Sequence, residues 1–404
     1  MTKRVWFRIT LLFLLWRIGL FAVGIWAQQV LPYEPSFPYA RLVLNQFDLP
    51  QWLFSWANFD GVHYITIVRL GYYGIGLVQA FFPFYPMLVN VVNQLIHSPI
   101  LSGLIVSNFF FYALLLIWYQ FVITKYTPEV AWRSTVILVL FPTSFFFGAM
   151  YTESLFLFLV VSSFFAAEKQ RWPIAIGCAI LASATRLVGV FLIPALFLEL
   201  LRQQYHQYWI PLKKLWHHFS FEKTKKLAQK IITWEFLGKV LAISLSGLGL
   251  LLYMMYLWLT FHDPLYFYHV QHDFNVGRSE SVVFYPQVVW RYLKILWSYR
   301  PFKFHYFSYI QDFISGTLGF VGIIWTAEYV TLSSVIFSLF ALALPTFTGT
   351  FTSLPRYILV CFPLYIWLAK KLATHARWYW IYLSVSTILL IFNTILFIQG
   401  YWVA

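Results

Sequence analysis

The chain alternates long apolar runs with short polar breaks. A bilayer core needs roughly 20 apolar residues per helix, with a range of about 17–25. The first run, Val5 to Gln28, follows a short basic head, Met1 to Arg4. It exceeds the roughly 7–15 apolar residues of a signal peptide, and no small-x-small cleavage site follows it. The pattern therefore predicts a retained first helix. Further helices are expected at 101–122, 131–147, 153–167, 172–185, 188–201, 237–260, 309–326, 329–347, 357–369 and 378–399. The expected fold is an all-α polytopic membrane protein, a single domain over residues 1–404 with about eleven transmembrane helices.

Three stretches interrupt the pattern. Residues 29–100 hold Pro32, Pro35, Pro38 and Pro50, the acids Glu34, Asp48 and Asp60, and many aromatics. Loops of this length are uncommon without a functional reason. Within this stretch, 81–96 (FFPFYPMLVNVVNQLI) is short and carries two asparagines, which suits a helix lying in the membrane interface. Residues 202–236 are strongly basic, and 261–308 form a second long polar break.

Composition changes the picture from merely helical to lipid-embedded. The chain is 61% hydrophobic and only 10% charged, against roughly 25% charged in soluble domains. Too little charge is present to cover a water-facing surface. Disorder, coiled coil and a disulfide scaffold fail on the same numbers, and Cys178 and Cys361 both sit in apolar runs. The net charge of +14 resembles a nucleic-acid binder's, but cytoplasmic loops of membrane proteins concentrate Lys and Arg. With the N-terminus inside and 81–96 on the outer surface, 18 of the 28 Lys and Arg fall on cytoplasmic segments and their edges. Residues 29–100 and 261–308 then face outward, and 202–236 is a basic cytoplasmic loop. No nucleic-acid partner is expected. No P-loop or dinucleotide glycine pattern is present, and the histidines show no metal-ligand spacing. No metal or other cofactor is expected.

Charges outside the basic inner segments are the candidates for chemistry, because ionisable groups at membrane depth are costly. Asp60 lies in Trp56-Ala-Asn-Phe-Asp60-Gly61-Val-His63-Tyr64. A carboxylate among bulky aromatics at a membrane edge suits a general base; the plainer reading is a helix cap. Glu153 opens an expected helix, where it would also complement the helix dipole. Arg186 and Arg356 sit at outward helix junctions. Each would meet an acid, a phosphate, or lipid headgroups. Two arginines converging on one acid-bearing site favour phosphate recognition. Gln271 and Arg278 lie in the second outer loop. Both acids fall at membrane-edge loops, so the fold is expected to survive loss of either.

Ordered over about 300 residues, several strings resemble the motifs of the PIG-V-type mannosyltransferases (GPI mannosyltransferase II and its prokaryotic relatives). They are W-x-x-F-D-G-x-H-Y at 56–64, F-F-P-F-Y-P at 81–86, F-P-T-S-F-F-F with Y-T-E-S-L-F over 141–156, A-T-R-L-V-G at 184–189, D-P-L-Y-F-Y with Gln271, and L-P-R-Y at 354–357. The family commonly has Trp before the Asp, where this chain has Phe59. The resemblance implies a GT-C-like fold and transfer of a sugar, usually mannose, from a polyprenyl- or dolichyl-phosphate donor. It implies a lipid or glycan hydroxyl as acceptor and catalysis on the extracytoplasmic face, at the plasma membrane in a prokaryote. The acidic residue of the first loop, which maps onto Asp60, would be the inverting base. His63, Tyr64, Glu153, Arg186, Gln271, Arg278 and Arg356 would bind substrate. A transporter or flippase of polyprenyl-linked or anionic lipids would use the same arginines without a base.

The topology is open to direct test. In Asn45→Cys, a membrane-impermeant thiol reagent added from outside should label the new cysteine. In Glu222→Cys it should label only after permeabilisation. Labelling of position 222 alone from outside would overturn the arrangement.

Overall fold

The computed structural model describes residues 2–204, 233–274, 279, 282–298 and 304–403. Arg278, most of the basic 202–236 loop and part of the second outer loop lie outside the described residues. Among the described residues, all regular structure is helical. Six helices are long and apolar enough to cross a membrane: Lys3–Val30, Pro99–Ile123, Leu187–Gln204, Trp234–Phe261, Tyr306–Thr326 and Ala376–Ile398. The protein is membrane-embedded. Its outer surface agrees, since Leu15, Ile18, Leu251, Leu259 and Ile388 project from these helices more than half exposed. Lipid can solvate such side chains and water cannot.

The other five expected segments each contain a shorter helix: Pro128–Val139, Glu153–Glu168, Trp172–Ser183, Leu332–Thr346 and Pro363–Ala373. Local breaks shorten them. Residues 140–152, for example, leave the helix at Leu140 and pass through a 3-10 turn, Ser144–Phe147. Irregular backbone deep in a membrane protein survives only where the protein itself supplies partners. Here Ser386 donates to the Leu140 carbonyl at 2.6 Å and Asn393 to the Pro142 carbonyl at 3.0 Å. Helix Phe84–Ile96 has 13 residues and so spans only about 20 Å. It buries Tyr85 and Val89 and exposes Met87, Val91 and Leu95.

Charged side chains sort to two ends of the bundle. At one end Lys125 and Arg202 both pair with Glu168, and Arg202 also pairs with Glu199. Lys370 and Lys371 lie over the Tyr329 ring nearby in the same region as Tyr126. These are residues expected on the cytoplasmic side. Asp60, Glu153, Arg186 and Arg356 lie elsewhere, at or beside segment ends expected outside, and two further buried charges, Arg17 and Asp312, lie within helices Lys3–Val30 and Phe304–Thr326.

Helix Lys3–Val30 packs along helix Ala376–Ile398, so the two ends of the chain close the bundle. The end of the second helix also clamps the first loop. Asn58 Nδ2 donates to the Phe397 carbonyl at 2.8 Å, and the Glu34 and Ser36 amides bond the Gln399 and Gly400 carbonyls at 2.9 and 3.0 Å. Gly400 makes this possible. Its φ is +83°, and a Cβ there would lie 2.6 Å from Pro35 Cα.

Gly400→Ala should therefore destabilise the protein by about 1–3 kcal/mol, the usual cost of one strained backbone residue. The readout is the thermal unfolding midpoint in detergent. An unchanged midpoint would show that the clamp contributes nothing.

Candidate functional site

Four charged side chains from distant parts of the sequence meet in one cluster: Asp60, Glu153, Arg186 and Arg356. Each is set in place by its local backbone. Asp60 is the first residue of helix Asp60–Leu70, where the positive end of the helix dipole favours an anion. The residue before it, Phe59, holds φ +59° and ψ −112°, a conformation that costs an L-residue about 1–3 kcal/mol. Aromatic packing holds it there. The Phe59 ring lies 4.4 Å from Phe37, 5.5 Å from Trp402 and 5.8 Å from Phe397, centroid to centroid. The Asp60 amide donates to Tyr151 Oη at 3.3 Å, and Tyr151 Oη donates to the Asn58 carbonyl at 3.1 Å.

Glu153 opens helix Glu153–Glu168, as the sequence predicts, but it is almost wholly buried, at 1% exposure. It is not at a solvated membrane edge. The expectation that the fold tolerates its loss is revised for that reason. Arg186 pairs with Glu153 Oε1. Its turn is fixed by Gly189, where a Cβ would sit 2.5 Å from the Ala182 carbonyl. Arg356 opens out of the short turn Leu354–Tyr357, which begins at Ser353 with φ +70°. Its Nη1 bonds Asp60 Oδ2, and its Nε lies 3.5 Å from Glu153 Oε1. Burial works against the Arg356 charge, but Asp60 and Glu153 outweigh it and push its pKa upward. The two guanidinium groups share one aromatic neighbour, Tyr357, at 4.8 Å for Arg186 and 5.8 Å for Arg356.

The resting cluster is formally neutral, with two acids against two arginines. It is not saturated. Arg356 Nε is buried and makes no hydrogen bond, so one donor remains for a further anion, while Glu153 Oε2 is an unfilled acceptor. Asp60 is the most open member, with a side chain 26% exposed.

His63 and Tyr64 follow one turn along the Asp60 helix and are buried. His63 does not reach Asp60. It stacks on Phe81 at 4.7 Å, and its Nδ1 is buried without a partner. Burial lowers its pKa to about 4, against the pull of Asp60, so the imidazole is neutral near pH 7. Tyr64 packs on Phe81 and Tyr85, within electrostatic reach of all four charges. Gln271 follows the turn Tyr266–His269 and donates to the Phe267 carbonyl at 3.4 Å. Asp263 caps this turn through the Leu265 amide and pairs with His269 at 2.7 Å. The second polar break nonetheless touches the first, because Phe274 lies 5.8 Å from the His63 ring. Arg278 lies outside the described residues.

Sequence reasoning passed over Tyr151, Tyr357 and Asn58. The first two adjoin Glu153 and Arg356 in the motifs, which was the available signal. No grouping of three metal-ligand residues occurs among the described residues. Compared with known proteins, the chain matches no protein-family model and no curated protein.

Removing one partner of a buried ion pair typically costs about 3–5 kcal/mol, because the other charge is stranded. Glu153→Gln strands the buried Arg186 and takes one of the two acids from Arg356, whereas Asp60→Asn loosens a partly open contact and leaves both arginines beside Glu153. The unfolding midpoint of Glu153→Gln should fall well below that of Asp60→Asn. Equal midpoints would mean that Glu153 is not the acid the cluster depends on.

Proposed function

We propose that the protein is a membrane glycosyltransferase that moves a sugar, mannose by resemblance, from a polyprenyl- or dolichyl-phosphate to a lipid or glycan hydroxyl. The bundle is then a GT-C-like arrangement of about eleven spans, with the cluster facing the extracytoplasmic side. In a prokaryote it resides in the plasma membrane. The observation that carries this reading is the meeting of Asp60, Glu153, Arg186 and Arg356 in one partly unsaturated cluster. The resemblance to PIG-V-type mannosyltransferases draws on the same four residues.

Asp60 is the base. In the resting protein its carboxylate is held by Arg356. A donor phosphate competes for that guanidinium, since arginine forks fit phosphate as well as carboxylate. Once released, Asp60 takes the proton of the acceptor hydroxyl as the acceptor oxygen bonds the anomeric carbon. The bond from that carbon to the phosphate oxygen breaks on the opposite face, so the configuration inverts. The electron pair leaves on the phosphate, which departs as the polyprenyl phosphate. This leaving group is already a weak base and needs no acid. It needs charge stabilisation, which Arg356 and Arg186 supply as cations already in place. Glu153 keeps the two arginines together.

The test uses membranes containing the protein and radiolabelled polyprenyl-phosphate mannose with extracted lipid as acceptor. Asp60→Asn should lower turnover by about 10²–10⁴-fold, the usual contribution of a general base. Arg356→Lys should also lose most activity, because a point charge replaces a planar fork. Full turnover in Asp60→Asn would remove its role as base. Lipid binding without product in the unmodified protein would favour the transporter or flippase.

A further inference from the structure

Asp312 is a lone acid inside helix Phe304–Thr326, and it is 1% exposed. A carboxyl group inside a span is costly unless it has a task and a partner. Its surroundings form a second polar group that the four-charge cluster does not include. Tyr292, from helix Tyr285–Ser298, donates through Oη to Asp312 Oδ2 at 3.3 Å. With its proton on the carboxyl group, the Tyr292 oxygen accepts from Thr350 Oγ1 at 3.1 Å. The Thr350 and Thr352 hydroxyls lie 2.6 Å apart, and the Thr352 amide donates to Thr350 Oγ1 at 3.1 Å. Phe351, between them, packs its ring 4.9 Å from that of Tyr292. The other carboxyl oxygen, Asp312 Oδ1, is buried and makes no hydrogen bond, so the hold on this acid is the Tyr292 hydroxyl.

This group therefore holds a non-helical strip of chain, residues 350–353, through the hydroxyl and the ring of Tyr292. The strip ends at Ser353, the residue held at φ +70°. The Ser353 carbonyl in turn accepts the Arg356 amide at 3.0 Å and the Tyr357 amide at 3.1 Å. The strip is thus tied to Asp312 through Tyr292, and the Ser353 carbonyl at its end starts the turn that carries Arg356.

The geometry points to Asp312 as the positioning residue for Arg356: Asp312 and Tyr292 fix the strained Ser353 turn from behind, so that the Arg356 guanidinium reaches Asp60 and Glu153. The role rests on the glycosyltransferase reading for its kinetic consequence but not for its structural one. Asp312 touches no reacting atom. It acts through Tyr292 and the backbone from Thr350 to Arg356.

Two measurements test it. The first is kinetic. Residues that orient a binding side chain from behind commonly contribute about 10–100-fold, as those behind metal ligands do. Asp312→Asn should lose kcat/KM for the donor by that factor. The double variant Asp312→Asn with Arg356→Lys should lose no more than Arg356→Lys alone, since residues acting through one contact are not additive. Multiplying defects, or full activity in Asp312→Asn, would overturn the role. The second measurement needs no activity. Phenylglyoxal modification of Arg356, read by mass spectrometry, should be slow in the unmodified protein and about tenfold faster in Asp312→Asn, as its coupled contacts loosen. Unchanged reactivity would overturn the proposal even if the protein transfers sugar. Raised reactivity in a protein without transfer activity would sustain the positioning role and sink the glycosyltransferase reading instead. If Asp312→Asn fails to accumulate, Tyr292→Phe removes one hydroxyl and undergoes the same labelling, with the same outcomes decisive.

Discussion

The arrangement depends on a single buried carboxylate between two guanidinium groups. Glu153 alone would be an uncompensated charge at membrane depth, and so would either arginine. Together they define a fixed point around which the loops are folded. Helix Glu153–Glu168 packs between helices Pro99–Ile123 and Trp172–Ser183, so the carboxylate rides on one of the best-supported elements of the bundle. Arg186 and Arg356 sit at non-helical junctions whose backbone is set separately, by the close approach at Gly189 and by the turn at Ser353. Asp60, the fourth member, is held on the outer side of this centre and keeps some solvent access. Rigid cations behind a more open acid form a division of labour that suits chemistry on an anionic substrate.

Irregular backbone at depth has its own cost, and the protein meets it with a small set of amides and hydroxyls. Asn393 serves the 140–152 break and is linked to Gln311 at 2.9 and 3.0 Å. Asn58 joins the first loop to the final helix. Thr350, Thr352 and Tyr292 serve the strip before Arg356. Each break carries or borders a member of the charged cluster. The unwound stretches thus allow charged side chains to leave the helical faces, which lipid occupies, and to meet inside.

Much of this was legible in the sequence. Apolar runs located the six long apolar helices to within a few residues, because a helix that meets lipid must satisfy its own backbone and advertise that in composition, but they overran helices such as Pro128–Val139, which breaks before the end of its apolar run. The four charges stood out as exceptions to the apolar and basic-loop patterns. What could not be read was their pairing. Arg356 meets Asp60 across 296 positions, and no local period encodes such a contact. The burial of Glu153 was missed because a helix-opening acid reads equally well as a solvated dipole partner. His63 reads as a ligand because its spacing of three puts it on the Asp60 face of the helix, yet its ring stacks on Phe81, a packing contact that no spacing encodes. Asp312, one acid in an apolar run, was passed over, because only its neighbours from two other segments give it meaning.

The clamp between the first loop and the chain's last residues has a consequence for biosynthesis. Asp60 emerges early, whereas Arg356 and the Phe397–Gly400 carbonyls that hold Asn58 and Ser36 emerge late. At about 5–20 residues per second of synthesis, a separation of 296 residues leaves the first loop waiting roughly 15–60 s for its partners. During that interval its aromatic, half-polar segments lack their final contacts. The loop's short helices, with apolar faces suited to the membrane surface, give it somewhere to rest. Assembly of the charged cluster is therefore the closing event of folding, and a ribosome that stalls before residue 356 releases a chain with its helices inserted and its centre unmade.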